Sequence, residues 1–239
     1  MRNENRDFDQ TRLISVESGF ANNASAVIFR MGKTVVNCSV SISKDVPSFV
    51  EDGHGWITAE YSMLPAATGY RNRRERGKVG GRTVEIQRLI GRSLRGAVNL
   101  EALGSHSIYL DCDVLYADGG TRCASISGSY IALMLALRKL EEKGELKVSE
   151  VIPQPVAAVS VGIVEGKLML DLEYTEDSNA DVDMNLIMTK DNNIIEIQGT
   201  AEGNPFSTDD LSKMIEFGKK GIADIIKVGE TFLNSSSSK

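Results

Sequence analysis

Apolar and polar positions along the chain alternate with two different periods, and the switches between them predict the elements. Residues 12–21 (RLISVESGFA) predict a strand running into a turn. Ser25–Arg30 and Thr34–Ser41 alternate on either side of Met-Gly-Lys and predict a hairpin, and Trp56–Tyr61 predicts another short strand. Met63–Lys78 has little apolar periodicity and contains Gly69 and Gly77, which predicts a mobile loop. From Arg82 to Leu100 the period becomes helical. Ile86, Ile90, Leu94 and Ala97 form one stripe, and Arg88, Arg92 and Arg95 fall on the opposite face. Ser107–Leu115 alternates as a strand, Ala117–Arg122 is a tight turn, and Cys123–Leu140 predicts a long apolar helix with Gly128 at a close-packing point.

After a connector at Ile152–Pro155 the strand pattern returns. Val156–Val164 and Leu168–Tyr174 flank Glu-Gly-Lys, and Met184–Thr189 and Ile194–Thr200 flank Lys-Asp-Asn-Asn. A last helix begins near Ser207, a capping sequence with acids in its first turn, and the tail Ser235–Lys239 is expected to be disordered. Each half runs strands, hairpins and then helices. The fold class expected is α+β, a duplicated strand-rich unit with helices. It forms one compact domain over 1–239, with similar halves at 12–147 and 156–234.

Composition narrows the function. A chain of 239 residues, 41% hydrophobic, buries a sizeable core without staples. Three cysteines, Cys38, Cys112 and Cys123, with no CxxC, read as reduced packing residues. The polar N-terminus does not resemble a signal peptide, and no run approaches about 18 apolar residues, so a cytoplasmic protein with no membrane partner is expected. The net charge of −6 argues against a general nucleic-acid coat. Its distribution points elsewhere: Arg71–Arg95 holds nine basic and two acidic residues, a window of +7 in a remainder of −13. A local cationic field in an acidic chain suggests a polyanion site. His54 and His106 both read as loop or surface residues.

Asp118-Gly-Gly-Thr-Arg122 places two glycines, a hydroxyl and a guanidinium where a strand ends and a helix begins. Helix starts expose unpaired N–H groups and a positive dipole end, a suitable seat for phosphate. An ordinary strand–helix turn would carry the same spacing. Gly80-Gly81-Arg82-Thr83 repeats the arrangement, and the two starts could converge on one anion. The acids Glu173, Glu176, Asp177, Asp181 and Asp183 follow a strand. They suit Mg2+ or Mn2+, or else form a solvated acidic loop.

These residues resemble the RNase PH family. The resemblance is carried by Gly55–Tyr61 (GWITAEY), Gly80–Ile90 (GGRTVEIQRLI), Leu110–Val114 (LDCDV), Ala117–Arg122 (ADGGTR), Ala157–Gly162 (AAVSVG), Asp171–Tyr174 (DLEY), Glu176-Asp-Ser178, Asp183-Met-Asn185 and Gln198–Gly203 (QGTAEG). It runs from about Arg12 to beyond Phe206. It implies a phosphorolytic 3′→5′ exoribonuclease that trims the 3′ ends of tRNA precursors and other RNA, rRNA among them. Inorganic phosphate would be co-substrate, nucleoside 5′-diphosphates the product, and nucleotide addition the reverse reaction. It also implies a homohexamer, a trimer of dimers. Carried over position by position, the phosphate ligands fall on Arg82, Gly120, Thr121 and Arg122. The catalytic, metal-associated aspartates fall on Asp177 and Asp183, with Mg2+ or Mn2+. The RNA contacts fall on Arg71, Arg73, Arg74 and Arg76 and on the helix arginines Arg88 and Arg92. The competing reading is a non-catalytic RNA-binding ring subunit of an exosome-like assembly, which would lack the turn or the aspartates; both are present.

Overall fold

The computed structural model describes Arg2, residues 5–22 and residues 24–236. Its first sheet has the order β1-β2-β3-β5-β4: β1 Ile14–Ser18, β2 Ser25–Met31, β3 Thr34–Ser43, β5 Ser107–Tyr116 and β4 Trp56–Met63. β1, β2, β3 and β5 pair antiparallel, whereas β4 and β5 are parallel. Parallel strands need a crossover, and helix α1, Gly81–Ala97, lies within it. The second sheet, β7-β6-β8-β9, is antiparallel throughout: β7 Lys167–Leu170, β6 Val156–Val164, β8 Val182–Thr189 and β9 Ile194–Ala201.

Helix α3, Thr121–Glu142, lies between the sheets, against β2 and β3 on one side and β6 on the other. It is therefore buried around most of its circumference, which its nearly unbroken apolar and small-residue sequence permits. Gly128 faces β3 at the tightest point: a Cβ there would stand 2.6 Å from Cys38 Sγ and 2.9 Å from Phe29 Cβ. The last helix α6, Thr208–Ser236, covers β6, β7 and β8 and reaches β1. One continuous apolar cluster runs through both sheets. No helix among the described residues is long and apolar enough to cross a membrane.

Several boundaries differ from the sequence reading. Helix α1 stops at Ala97 instead of Leu100, because Asn99 caps the short helix α2, Leu100–Leu103, accepting from the N–H groups of Glu101 and Ala102. A second short helix, α4 Val148–Val151, occupies the connector. β7 ends at Leu170 and does not continue to Tyr174: Asp171 turns the backbone to φ 53° and its side chain goes inward. The helical turn α5, Tyr174–Asp177, follows. Ser235 and Ser236 are helical, and residues 237–239 of the expected disordered tail lie outside the described residues. His106 is buried, with Nδ1 at 2.9 Å from the Leu103 carbonyl oxygen, and is not a surface residue.

Candidate active site

β5 and α3 are joined by Ala117–Gly120, where Gly119 and Gly120 take φ 75° and 65°. Glycine is required by space as well as by backbone. A Cβ on Gly119 would stand 2.5 Å from the Leu172 carbonyl oxygen. The turn is anchored from behind. Thr34 Oγ1 donates to the Gly119 carbonyl at 2.7 Å and accepts from the Asp118 N–H at 2.9 Å. Arg12 donates to the Asp118 carbonyl and grips Asp171 through Nε at 3.0 Å and Nη2 at 2.6 Å. With its carbonyls tied back, the turn leaves the first N–H groups of α3 facing outward, with no side-chain cap on the helix. Tyr61 donates its hydroxyl to Thr121 Oγ1 at 3.0 Å, so the Thr121 hydroxyl hydrogen is left to donate elsewhere.

In front of the turn lies a cavity of about 390 Å³, lined among others by Arg82, Thr121, Arg122, Asp177, Asp183 and Asn185. A neighbouring cavity shares Arg82, Arg122, Asp177 and Asp183 and adds Glu85 and Gln198. Arg122 Nη2 is held by Glu85 at 3.0 Å, and Gln198 Nε2 holds the other oxygen of Glu85 at 2.8 Å. Burial pushes the Glu85 carboxyl up, but Gln198 and Arg122 outweigh it and the net shift is downward. Arg122 Nε, Gln198 Oε1 and Asp183 Oδ1 are buried with no hydrogen-bond partner. Such orphans are uncommon in folded proteins, and three bordering one hollow mark a place prepared for polar ligands.

Burial, and then the charge of Asp177, push the Asp183 carboxyl up to about 6. Asp177 is also raised by burial, against the pull of Arg122 and Arg82. Among the described residues no three His, Cys, Asp or Glu side chains form a ready metal cage. Two mutually repelling carboxylates, one with an unpartnered oxygen, nonetheless fit a hard divalent ion that completes its shell with water and substrate oxygens.

Comparison with known proteins decides the relationship. The model of the 3′ exoribonuclease family, domain 1, matches residues 10–139, and that of domain 2 matches residues 154–221. The chain belongs to the 3′ exoribonuclease family. It is 50% identical to the ribonuclease PH of Syntrophomonas wolfei, over 97% of this chain and 98% of that one. It is 51% identical to the ribonuclease PH of Corynebacterium glutamicum, over 94% and 93%. Its fold matches that of Rrp46 of rice (Oryza sativa) at TM-score 0.79, with 17% identity over 97% of this chain and all of the other. It also matches a chain of the Archaeoglobus fulgidus exosome with RNA bound to the active site, at TM-score 0.79 and 22% identity over 97% and 92%.

The structure of this family member brings Arg82, Gly120, Thr121, Arg122, Asp177 and Asp183 around one cavity. It disperses the rest of the acidic set. Glu176 is taken by Arg2 at 2.7 Å, Glu173 is buried, Asp181 points toward the Gly166 N–H, and Asp183 sits on strand β8 and not on a loop. The two Gly-Gly turns also differ. Gly80 caps α1 in extended backbone, and Thr83 is engaged by Glu75 at 3.1 Å, so only Arg82 of the second turn reaches the cavity. The arginine face of α1 is divided. Arg88 is exposed, Arg92 pairs with Glu196, and Arg95 stacks 4.5 Å over Trp56 while donating to the Ile57 carbonyl at 2.6 Å. Arg71, Arg73, Arg74 and Arg76 are all exposed, and Arg73 lines a cavity that also borders Arg82. Removing the charges of Arg73, Arg74 and Arg76 together is expected to weaken RNA binding and to reduce the slope of log K against log salt by about two to three. A slope unchanged in filter binding would remove the loop from the RNA site.

Sequence reasoning missed the residues that hold the site: Arg12, Thr34, Tyr61, Glu85, Asp171 and Gln198. Glu85 carried a signal, as one of only two acids in the arginine window and three residues from both Arg82 and Arg88. The others gave none by pattern, because their partners are distant in sequence; Tyr61, Asp171 and Gln198 stood out only as members of the family motifs.

Proposed function

We propose that this exoribonuclease works by phosphorolysis, with inorganic phosphate seated on the Gly119–Arg122 turn. The observation that carries the reading is the convergence of Arg82, Thr121 and Arg122 opposite Asp177 and Asp183 in one cavity. Phosphate is already a competent nucleophile, so the absence of histidine from that lining is no obstacle. Arg82, Arg122, the Thr121 hydroxyl and the N–H groups at the start of α3 hold it and balance its charge. A phosphate oxygen attacks the terminal phosphorus, the bond to the 3′ oxygen of the preceding nucleotide breaks, and a nucleoside 5′-diphosphate leaves. Asp177 and Asp183 would hold Mg2+ or Mn2+, which when bound would neutralise charge on the phosphoryl oxygens. In this reading Asp183 assists protonation of the departing 3′ oxygen by orienting the water that carries the proton, since a carboxylate that holds the ion has no proton of its own to give.

The substrates in this reading are 3′ ends of tRNA precursors and other RNA, reached past Arg71, Arg73, Arg74 and Arg76, with Arg88 and Arg92 as contacts to the terminal phosphates. The protein acts in the cytoplasm, as a single domain of two halves assembled into a homohexamer. Support for the ring comes from the resemblance and from the archaeal exosome chains that share its fold. Light scattering should return about six times the 26.0 kDa chain mass.

The test is phosphate dependence. A tRNA with a short 3′ extension should release nucleoside diphosphates only when phosphate is present. Nucleoside monophosphates in phosphate-free buffer would mean hydrolysis and sink the proposal. Arg82→Ala should raise the KM for phosphate about 10–100-fold, the weight of a hydrogen bond to a charged group, while RNA affinity stays within about threefold. Equal loss of both would show that Arg82 is not a dedicated phosphate ligand.

A further inference from the structure

At the opposite end of α3 from the active site, roughly 30 Å away at 1.5 Å per residue, lies a separate cavity, of about 270 Å³. It is walled by the start of β2, the end of β3 and the last turns of α3. Three ammonium groups border it: Lys44, Lys139 and Lys143. Lys44 is engaged by Glu145 at 3.0 Å, and the same carboxylate lies 3.4 Å from His106 Nε2. Lys139 and Lys143 belong to no ion pair found among the described residues. Deeper in, Ser25 is 5% exposed and its hydroxyl has no hydrogen-bond partner. Ile42 and Leu140 supply an apolar wall. The catalytic reading uses none of these residues.

Two costs are built into this hollow. A buried hydroxyl without a partner lacks the hydrogen bond that water would give it, and the three exposed ammonium groups at the rim face a single acid, Glu145. Lysines outnumber acids three to one in the lining, in a chain where 33 acids face 27 bases. An anion with several acceptor oxygens relieves both costs, and lysine serves phosphate well as a mobile point charge. The volume of about 270 Å³ falls just below the roughly 300 Å³ at which ligand pockets begin, which suits a small group such as a phosphate with part of its nucleoside. The apolar wall would take a sugar or base while the lysines take the phosphate. We propose that this cavity binds a phosphate group, the chemistry shared by a free nucleotide and an RNA backbone.

The probes are ADP and a blunt-ended RNA stem whose paired 3′ end cannot enter the active site. Calorimetry of ADP with Arg82→Ala/Arg122→Ala protein, in which the catalytic phosphate seat is disabled, is expected to show binding that remains. Adding Lys139→Ala/Lys143→Ala should weaken that binding at least tenfold, and Ser25→Ala should weaken it about threefold. Glu145→Gln, which releases Lys44 and His106, should tighten it; a gain in affinity cannot come from misfolding. If the stem and not ADP is the ligand, the lysine pair should instead lower the salt slope of stem binding by about two. A response in the ADP arm assigns the site to free nucleotide, and a response in the stem arm alone assigns it to RNA backbone. No change in either arm overturns the proposal. Full wild-type ADP stoichiometry in the double-arginine variant would count against the catalytic phosphate seat instead, and the lysine arms would still decide this site. Phosphorolysis of a short single strand should be unchanged by Lys139→Ala/Lys143→Ala.

Discussion

Asp183→Asn is expected to cut phosphorolysis by about 100-fold or more, the scale on which loss of one preorganised electrostatic contact is felt. The same substitution should make the metal-free protein more stable near neutral pH. The sign follows from linkage. Burial and Asp177 raise the Asp183 carboxyl from 3.8 to about 6, so between those values the folded protein holds a proton that the unfolded chain has lost. Stability from this group is therefore full below about pH 4, declines as pH rises through about 6, and is absent above it. A divalent cation, if Asp177 and Asp183 hold one, would offset that loss. Thermal melts at pH 7.5 should show the native protein gaining Tm with millimolar Mg2+, while Asp183→Asn starts higher and gains little. The Mg2+ response of the native protein should shrink at pH 5. Full activity of Asp183→Asn at saturating Mg2+, or an equal Mg2+ gain in both proteins, would refute the role given to this carboxylate.

The amino-acid pattern exposed those parts of the molecule whose causes are local. The β2–β3, β6–β7 and β8–β9 hairpins, α1, α3 and α6 were legible from period and turn residues. So was the Gly119-Gly120 turn, because positive φ at two successive residues needs glycine. The parallel pairing of β4 with β5 was not legible. It joins Trp56–Met63 to Ser107–Val114 across a helix, and such pairing leaves no turn signature. Nor was the end of β7. Asp171 sits in an apolar–polar alternation that reads as strand, and only the distant Arg12 makes it fold inward. The acidic run at 173–183 misled for a related reason. Sequence places five carboxylates together, whereas Arg2 and burial withdraw Glu176 and Glu173 and leave Asp177 and Asp183 at the cavity. The arginine face of α1 misled in the same way, since Glu196 and Trp56 lie about a hundred and about forty residues away from their partners.

Asp171→Ala should be the most destabilising substitution in the molecule that touches no core apolar group. The carboxylate is fully buried and accepts from the Arg12 N–H at 2.7 Å, from Arg12 Nε and from Arg12 Nη2. Arg12 is itself 3% exposed, so the substitution strands a buried guanidinium. Breaking a buried pair by removing one partner costs about 3–5 kcal/mol, a large share of the roughly 5–15 kcal/mol that holds a domain folded. Alanine would also meet the φ of 53° at this position, which an L side chain other than Asn or Asp tolerates poorly. Asp171→Asn keeps the shape and tolerates the backbone, so the difference between the two variants in urea unfolding separates charge from strain. Both should also raise the KM for phosphate where they remain folded, because Arg12 ties down the Asp118 carbonyl behind the Gly119–Arg122 turn, the proposed phosphate seat. The decisive measurement is the double variant. Removing the stranded charge in Arg12→Met/Asp171→Asn should cost less than the sum of the single substitutions, since the penalty of an unpaired buried charge disappears. Simple additivity would mean that the pair does not act as a unit, and that the turn owes its geometry to Thr34 and the two glycines alone.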